Sequence, residues 1–280
     1  LGRGAAGEVY ETTIKGHKLA CKRVAFRRKI GEADRKEIEI LKKLSHTHII
    51  QLIGTYTHHQ FLGILLFPVA LCDLRTFFED VEAHYRGLGL DNQQRTRLTA
   101  LDYFSSCRKY YMASPIYSSI GCLISAIAYL HSQRIRHKAL KPSNILLSPG
   151  RLYLSDSGSA TDFSFLSHSA TDNERGTERY FAPEVAAWEP NERAADIFSL
   201  ACLMLEIVVL HTDGTLDALR RLRTSRDRSF FQANLDTIDI WLAEWIVLDT
   251  NTSPRRSHLM WEIRGMLARD PKRRPTAPEL

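Results

Sequence analysis

Ile135-Arg136-His137-Lys138-Ala139-Leu140-Lys141-Pro142-Ser143-Asn144-Ile145-Leu146-Leu147 is the stretch on which the reading of this chain turns. It is followed by Leu154-Ser155-Asp156-Ser157-Gly158 and then by Gly176-Thr177-Glu178-Arg179-Tyr180-Phe181-Ala182-Pro183-Glu184. All three fall in or beside a long segment of little periodicity, Gly150 to Pro190, dotted with Ser, Thr, Asp and Gly. Aperiodic loops of that length inside a domain usually carry function. On either side the pattern is helical. Ile116, Ile120, Leu123, Ile124, Ile127 and Leu130 follow helical spacing, and Ala194 to Leu210 is apolar nearly all round, as expected of a helix buried on every side.

Upstream the period changes. Glu8 to Ile14, Leu19 to Val24, Ile49 to Tyr56 and Phe61 to Phe67 read as strands, interrupted by one amphipathic helix from Glu32 to Leu44 with Ile38, Leu41 and Leu44 on its buried stripe. The boundary between the two patterns falls near Pro68 to Asp73. Residues 84 to 114 and 211 to 257 fit no strong pattern and read as insertions with some helix.

Gly2, Gly4 and Gly7 with Val9 give G-x-G-x-x-G-x-V. Glycines there let backbone amides approach a phosphate without Cβ interference. A dinucleotide fingerprint needs a helix directly after the glycines, whereas Val9 to Ile14 continue as strand. Ala20-Cys21-Lys22 sits in the next strand, and Glu37 lies on the helix fifteen residues beyond Lys22. A strand lysine that is buried needs such a partner; taken singly, each charge reads as surface.

In this order the motifs resemble a eukaryotic-type protein kinase domain of the serine/threonine type, whose elements are a glycine-rich loop, a strand lysine, H-R-D-L-x-x-x-N, D-F-G and A-P-E. The wording of residues 137 to 146 and the Pro68-Val69-Ala70 segment resemble fungal members. The resemblance covers nearly all of the chain and implies an α+β, two-lobed protein kinase-like fold: a small β-sheet lobe with one helix over residues 1–70, a larger helical lobe over 71–280, and an activation segment over 156–184. It implies ATP and Mg2+ as cofactors. Gly2, Gly4 and Gly7 would cover the phosphates, Lys22 would hold them, and Glu37 would orient Lys22. Val9 and Ala20 join the nucleotide-binding set. Phe67 would guard the back of the adenine pocket, with Val69 and Ala70 in the hinge after Pro68. Asn144 and Asp156 would hold the metal, Lys141 would serve in the catalytic loop, and Pro183, Glu184 with Arg274, and Asp196 would be structural. Lys141 and Thr177 match the serine/threonine branch.

The departures are as specific as the matches. Position 139, where the family carries the aspartate base, is alanine, which has no lone pair to orient or deprotonate a hydroxyl; losing a general base costs roughly 10²- to 10⁴-fold. Lys138 replaces an arginine that forks onto phosphate, and Ser157 replaces the phenylalanine of D-F-G. Ser164, Ser167, Ser169 and Thr171 are candidate modification sites. The expected function is therefore ATP-dependent phosphoryl transfer to protein serine or threonine, strongly impaired. The alternative is an ATP-binding pseudokinase acting as a scaffold or allosteric partner for another protein.

Composition sets the outer limits. Of the 280 residues 44% are hydrophobic and 25% charged, ordinary for a globular chain. The apolar stretches Leu62 to Leu71 and Leu200 to Leu210 fall short of the roughly 18 residues of a membrane span. Five cysteines without a C-x-x-C pair predict neither a disulfide framework nor a zinc site, and so an intracellular setting, cytoplasmic or nuclear. The net charge of +6 is mild; the run Arg220, Arg221, Arg223, Arg226 and Arg228 reads as a solvated face rather than a nucleic-acid footprint. His46, His48, His58 and His59 read as exposed loop histidines. With no N-terminal methionine or signal sequence, the chain reads as an excised domain.

Overall fold

The structure is a computed structural model that describes residues 2–4, 7–26, 29–106, 116, 119–156, 160–162, 178–223, 230–249 and 254–280. Its first part is an antiparallel sheet built from β1 (Gly2–Gly4), β2 (Gly7–Ile14), β3 (His17–Ala25), β4 (Gln51–His58) and β5 (Phe61–Phe67), in the order β1-β2-β3-β5-β4. The glycine-rich stretch is thus a hairpin, with Gly4 opposite Gly7 and Val9 opposite both Gly2 and Lys22. One helix, α1 (Glu32–Lys43), packs against the sheet through Ile38, which joins Leu62 and Ile64 in a small apolar cluster. Acidic Glu32 and Asp34 in its first turn and Lys42 and Lys43 in its last complement the helix dipole.

A short strand, β6 (Cys72–Asp73), leads into the helical part: α2 (Leu74–Tyr85), α3 (Asn92–Ala100), α4 (Tyr103–Ser106) and α5 (Ile120–Ser132). After β7 (Ile135–Arg136), β8 (Ile145–Ser148) and β9 (Arg151–Leu154) pair with β6 in a three-stranded sheet, and β10 (Thr161–Asp162) pairs with β7. Then come α6 (Pro183–Ala186), α7 (Arg193–Asp213), α8 (Asp217–Leu222), α9 (Leu235–Asp249) and α10 (Pro254–Met266). The architecture is the expected α+β fold of two lobes. The stretch 211–257, expected to hold only some helix, carries the fifteen-residue α9, whose Ile238 and Leu242 reach the main core.

Helix α7 is long and apolar enough, by length and composition, to cross a membrane, which shorter uninterrupted runs in the sequence did not suggest; it lies mostly buried inside this lobe. Its charged residues Asp196 and Glu206 are both buried, so each needs internal partners.

The lobes meet behind the cleft. Ile50 N–H donates to Leu154 O at 3.0 Å, Leu154 N–H to His48 O at 2.8 Å, and Ser45 N–H to the Tyr129 hydroxyl at 2.9 Å. His46 stacks on Tyr129 with ring centroids 5.0 Å apart. His46 and His48, expected in exposed loops, are therefore half-buried parts of this joint, whereas His58 and His59 are exposed.

Candidate functional site

Lys22 and Glu37 are brought together in the interior. Lys22, 9% exposed, sits mid-strand between Val9 of β2 and Ile64 of β5, and its ammonium donates to Glu37 Oε1 at 2.8 Å and Oε2 at 2.7 Å. Glu37 lies on the same buried stripe of α1 as Ile38, Ile40 and Leu41. The reading of both as surface charges fails. Asp156 Oδ1 lies 4.0 Å from the same ammonium. Burial pushes the Glu37 carboxyl above its ordinary range; Lys22 opposes the shift and Asp156 adds to it. One cation thus stands between two acidic groups on different lobes, paired with Glu37 and 4.0 Å from Asp156.

Asp196 organises the loop that carries position 139. Its carboxylate accepts from His137 N–H and Lys138 N–H, each at 2.9 Å, and from His131 Nε2 at 3.0 Å. Burial alone would raise its pKa; the hydrogen bond from His131 and the neighbouring imidazoles outweigh it and hold the carboxyl below its usual range. With its backbone clamped, Lys138 takes a φ of 62°, a left-handed conformation uncommon for a residue with a Cβ.

The His137 ring is fixed in one tautomer. Its Nδ1 accepts from Ala139 N–H at 3.3 Å, so the proton is on Nε2, which donates to Ser155 O at 3.0 Å. Burial lowers its pKa and keeps it neutral. Ser155 in turn donates N–H and Oγ–H to Asn144 O at 2.9 and 3.1 Å, and Asn144 Nδ2 donates to Ala139 O at 2.8 Å. The loop 137–144 and the strand end at 155–156 are therefore one hydrogen-bonded unit. Asp156 leaves it with a φ of 60°. The Asn144 bond uses the amide nitrogen, so the side-chain oxygen is not spent on Ala139 O. An amide oxygen and a carboxylate, as Asn144 and Asp156 carry, are hard oxygen donors of the kind that suits magnesium, which keeps waters and substrate phosphates in its shell.

Ala139 is 5% exposed and presents a methyl group where a base would stand. Lys141 is half-buried just before the turn Pro142–Asn144. The hairpin places Gly2, Gly4 and Gly7 beside Val9, and Ala20 pairs with Leu66. Phe67, expected at the back of the pocket, is instead 45% exposed, while Leu66 packs with the Ile38, Leu62 and Ile64 cluster. Strand alternation decides this: Leu62, Ile64 and Leu66 share one face and Phe67 takes the other. Val69 and Ala70 are half-buried in the link to β6, where Leu71 N–H donates to Leu147 O at 2.8 Å. Glu184 and Arg274 form a buried bidentate pair at 2.7 and 2.8 Å. Ser157, Gly158, Ser164, Ser167, Ser169, Thr171, Thr177, Cys107, Arg226 and Arg228 lie outside the described residues.

Two features escaped the sequence. The arginine run is a solvated face at Arg220 and Arg221, as expected, but Arg220 forks onto Glu82 at 2.7 Å and Arg223 is internal, 2% exposed and paired with Glu206. No local signal marks either, because the partners are 138 and 17 residues away. Cys21, Cys72, Cys122 and Cys202 are free thiols.

The protein kinase domain family model matches residues 1–280. Among curated proteins the chain is 30% identical to the serine/threonine-protein kinase fused of Drosophila melanogaster over 212 residues, 74% of this chain and 23% of that one. It is 29% identical over 223 residues to the serine/threonine-protein kinase TIO of Arabidopsis thaliana, covering 75% of this chain and 14% of that one. It is 25% identical over 287 residues to the serine/threonine-protein kinase 36 of Pongo abelii, covering 100% of this chain and 18% of that one. The chain thus spans less than a quarter of the length of each of these relatives.

Proposed function

The chain belongs to the protein kinase domain family, and we propose that it binds Mg-ATP between its lobes, with phosphoryl transfer to protein serine or threonine strongly impaired by Ala139. The observation that carries this reading is the intact arrangement of Lys22, Glu37, Asp156 and Asn144 around a position that has lost its base. Lys22, oriented by its pair with Glu37, would bind the α and β phosphates; Asp156 and the Asn144 side-chain oxygen would hold the metal; the glycine hairpin would cover the phosphates. When bound, magnesium neutralises charge on the transferring phosphoryl group. Leu66 lies behind the adenine, and Phe67 begins the hinge whose backbone reaches it through Val69 and Ala70.

At position 139 the acceptor hydroxyl meets no lone pair to orient it or to take its proton. Positioning and charge neutralisation supply most of phosphoryl-transfer catalysis, so trace turnover is expected rather than none. The lobes divide at residues 70 and 71, with the activation segment over 156–184. The free thiols fit a reducing compartment, cytoplasmic or nuclear.

A second reading rests on the same methyl group: a pseudokinase that binds ATP and acts as a scaffold or allosteric partner. Transfer of labelled γ-phosphate to a basic protein separates the two, comparing the chain with its Ala139→Asp variant and with Lys22→Ala as the blank. Transfer by Ala139→Asp alone supports an impaired kinase. Transfer by neither, with ATP still bound, supports the scaffold, and an absence of ATP binding overturns both.

A further inference from the structure

The N-terminal sheet has two edges, and they are guarded unequally. At one, β1 is three residues long. At the other stands β4, eight residues reading Gln51-Leu52-Ile53-Gly54-Thr55-Tyr56-Thr57-His58, with no acid, lysine, arginine or proline among them. Short strands, charges and prolines are the usual means of stopping a free edge from pairing with another chain. Strand β4 has a bulge instead: its register against β5 shifts between Leu52 and Gly54 and leaves Ile53, 54% exposed, without a cross-strand partner. From Gly54 to His58 the ladder is regular and residues 55–58 are exposed. Among the described residues β5 is the one strand that pairs with β4, so the other side of this segment is open.

The outer face of the sheet shows what an added strand would carry. Residues opposite each other in a ladder share a face. Tyr10, Cys21, Leu65 and Gly54 therefore form one row, and Arg23, Gly63 and Tyr56 the next, on the side away from Ile38 and α1. Tyr56 lies across Gly63: a Cβ on that glycine would run into the tyrosine ring. The Tyr56 hydroxyl reaches the Tyr10 hydroxyl at 3.3 Å and Cys21 Sγ at 3.4 Å. An aromatic side chain thus covers a glycine on the neighbouring strand. Gly54, on the same face but at the edge, has no such cover, and a Cβ there would meet no atom within 4 Å. One strand further out, an aromatic residue opposite Gly54 would repeat what Tyr56 does to Gly63.

We propose that the edge Gly54–His58 binds an extended peptide segment of a protein partner by strand addition, with an aromatic side chain seated on Gly54 and uncharged residues along β4. Main-chain hydrogen bonds supply the affinity and the notch at Gly54 the selectivity. The lack of charge in β4 sets the chemistry, because a charged side chain laid against it would lose water without gaining a counter-charge. A second copy of the chain fits less well: two rigid sheets meet only along their edges, whereas a flexible segment lays side chains onto both faces. Strand addition here does not depend on the kinase reading.

The probe is the peptide Lys-Thr-Val-Tyr-Val-Thr-Lys, blocked at both ends, whose tyrosine and threonines share one face. At a free concentration ten times its dissociation constant, exchange of the free-edge amides among residues 54–58 should slow about tenfold, with exchange in the helical lobe unchanged. Two further versions are N-methylated along opposite edges, one on the second, fourth and sixth residues and one on the third and fifth. One should bind and the other should not, because a strand pairs through one edge at a time. Replacing the probe's tyrosine by serine should weaken binding to the parent about threefold, and should not weaken binding to Gly54→Thr, in which the notch is filled. The methylated pair needs no variant and decides strand addition even if Gly54→Thr fails to fold. No slowing at 54–58, equal binding of the two methylated probes, or a tyrosine preference that survives in Gly54→Thr overturns the proposal. Slowing at 54–58 that grows with protein concentration in the absence of the probe also overturns it, and gives the edge to a second copy of the chain.

Discussion

The side-chain amide of Asn144 donates to the backbone carbonyl of Ala139 at 2.8 Å. The residue in the base position therefore orients the metal-ligand candidate through its main chain, which every amino acid shares. Loss of the aspartate side chain removes a proton acceptor without releasing Asn144. Nucleotide binding and phosphoryl transfer become separable at this one position.

Mg-ATP at about a hundred times its dissociation constant should stabilise the fold by roughly 2.7 kcal/mol. Ala139→Asp should leave that increment and the dissociation constant essentially as they are, while raising transfer by roughly 10²- to 10⁴-fold. Calorimetric titration and labelled-phosphate transfer check the two halves. A large affinity change in Ala139→Asp would show that Asn144 depends on the side chain at 139 after all.

Lys22→Ala should abolish the ATP increment and leave Glu37 buried, facing the acidic charge of Asp156 and Asp34. Breaking a buried pair from one side costs about 3–5 kcal/mol. The cost is pH-dependent. Burial already raises the Glu37 pKa above 4.5, and losing the opposing Lys22 raises it further. An acid whose folded pKa is raised contributes stability that is lost as pH climbs through that value. The deficit of Lys22→Ala relative to the parent should be smaller at pH 5 than at pH 8, read by urea unfolding at both.

His137 titrates in the opposite sense. Its folded pKa is lowered from 6.5 by burial, so the unfolded chain binds the proton more readily. Its contribution is present above pH 6.5 and is lost as pH falls toward the folded value, with a limiting slope of about 1.4 kcal/mol per pH unit. His137→Gln, which can still accept from Ala139 N–H or donate to Ser155 O, should flatten the stability curve between pH 6.5 and 5. An unchanged slope would mean that the burden of acid sensitivity lies with other groups.

Arg274 has a side chain with no exposed surface; it forks onto Glu184 and also donates to the carbonyls of Ala194, Ala268 and Arg269. Arg274→Ala should destabilise by about 3–5 kcal/mol. Arg274→Lys should recover little of that, because an ammonium cannot reproduce a planar fork serving five acceptors. Chemical denaturation of the two variants measures the difference.

Much of the fold is written locally. The strand β5 falls at Phe61–Phe67 as its short run of apolar residues predicts, and α1 and α7 follow from a one-faced and an all-round apolar pattern respectively. Such periods depend only on neighbours in sequence. The order of the glycine hairpin, Lys22, Ala139, Asn144, Asp156 and Glu184 was equally legible, because each motif is contiguous.

What required the tertiary structure were relations between residues far apart in the chain and choices between the faces of one element. Composition cannot say whether Lys22 and Glu37 are two surface charges or one buried pair; that depends on α1 packing its stripe against the sheet. Phe67 and Leu66 are adjacent and both apolar, and only the register of β5 decides that Leu66 turns inward. Arg220 and Arg223 look alike in a basic run, yet Glu82 takes one at the surface and Glu206 takes the other into the core. Sequence fixes which groups a segment can offer, whereas burial and the long-range partner decide which charge is neutralised, which proton is held, and which side chain is free to act.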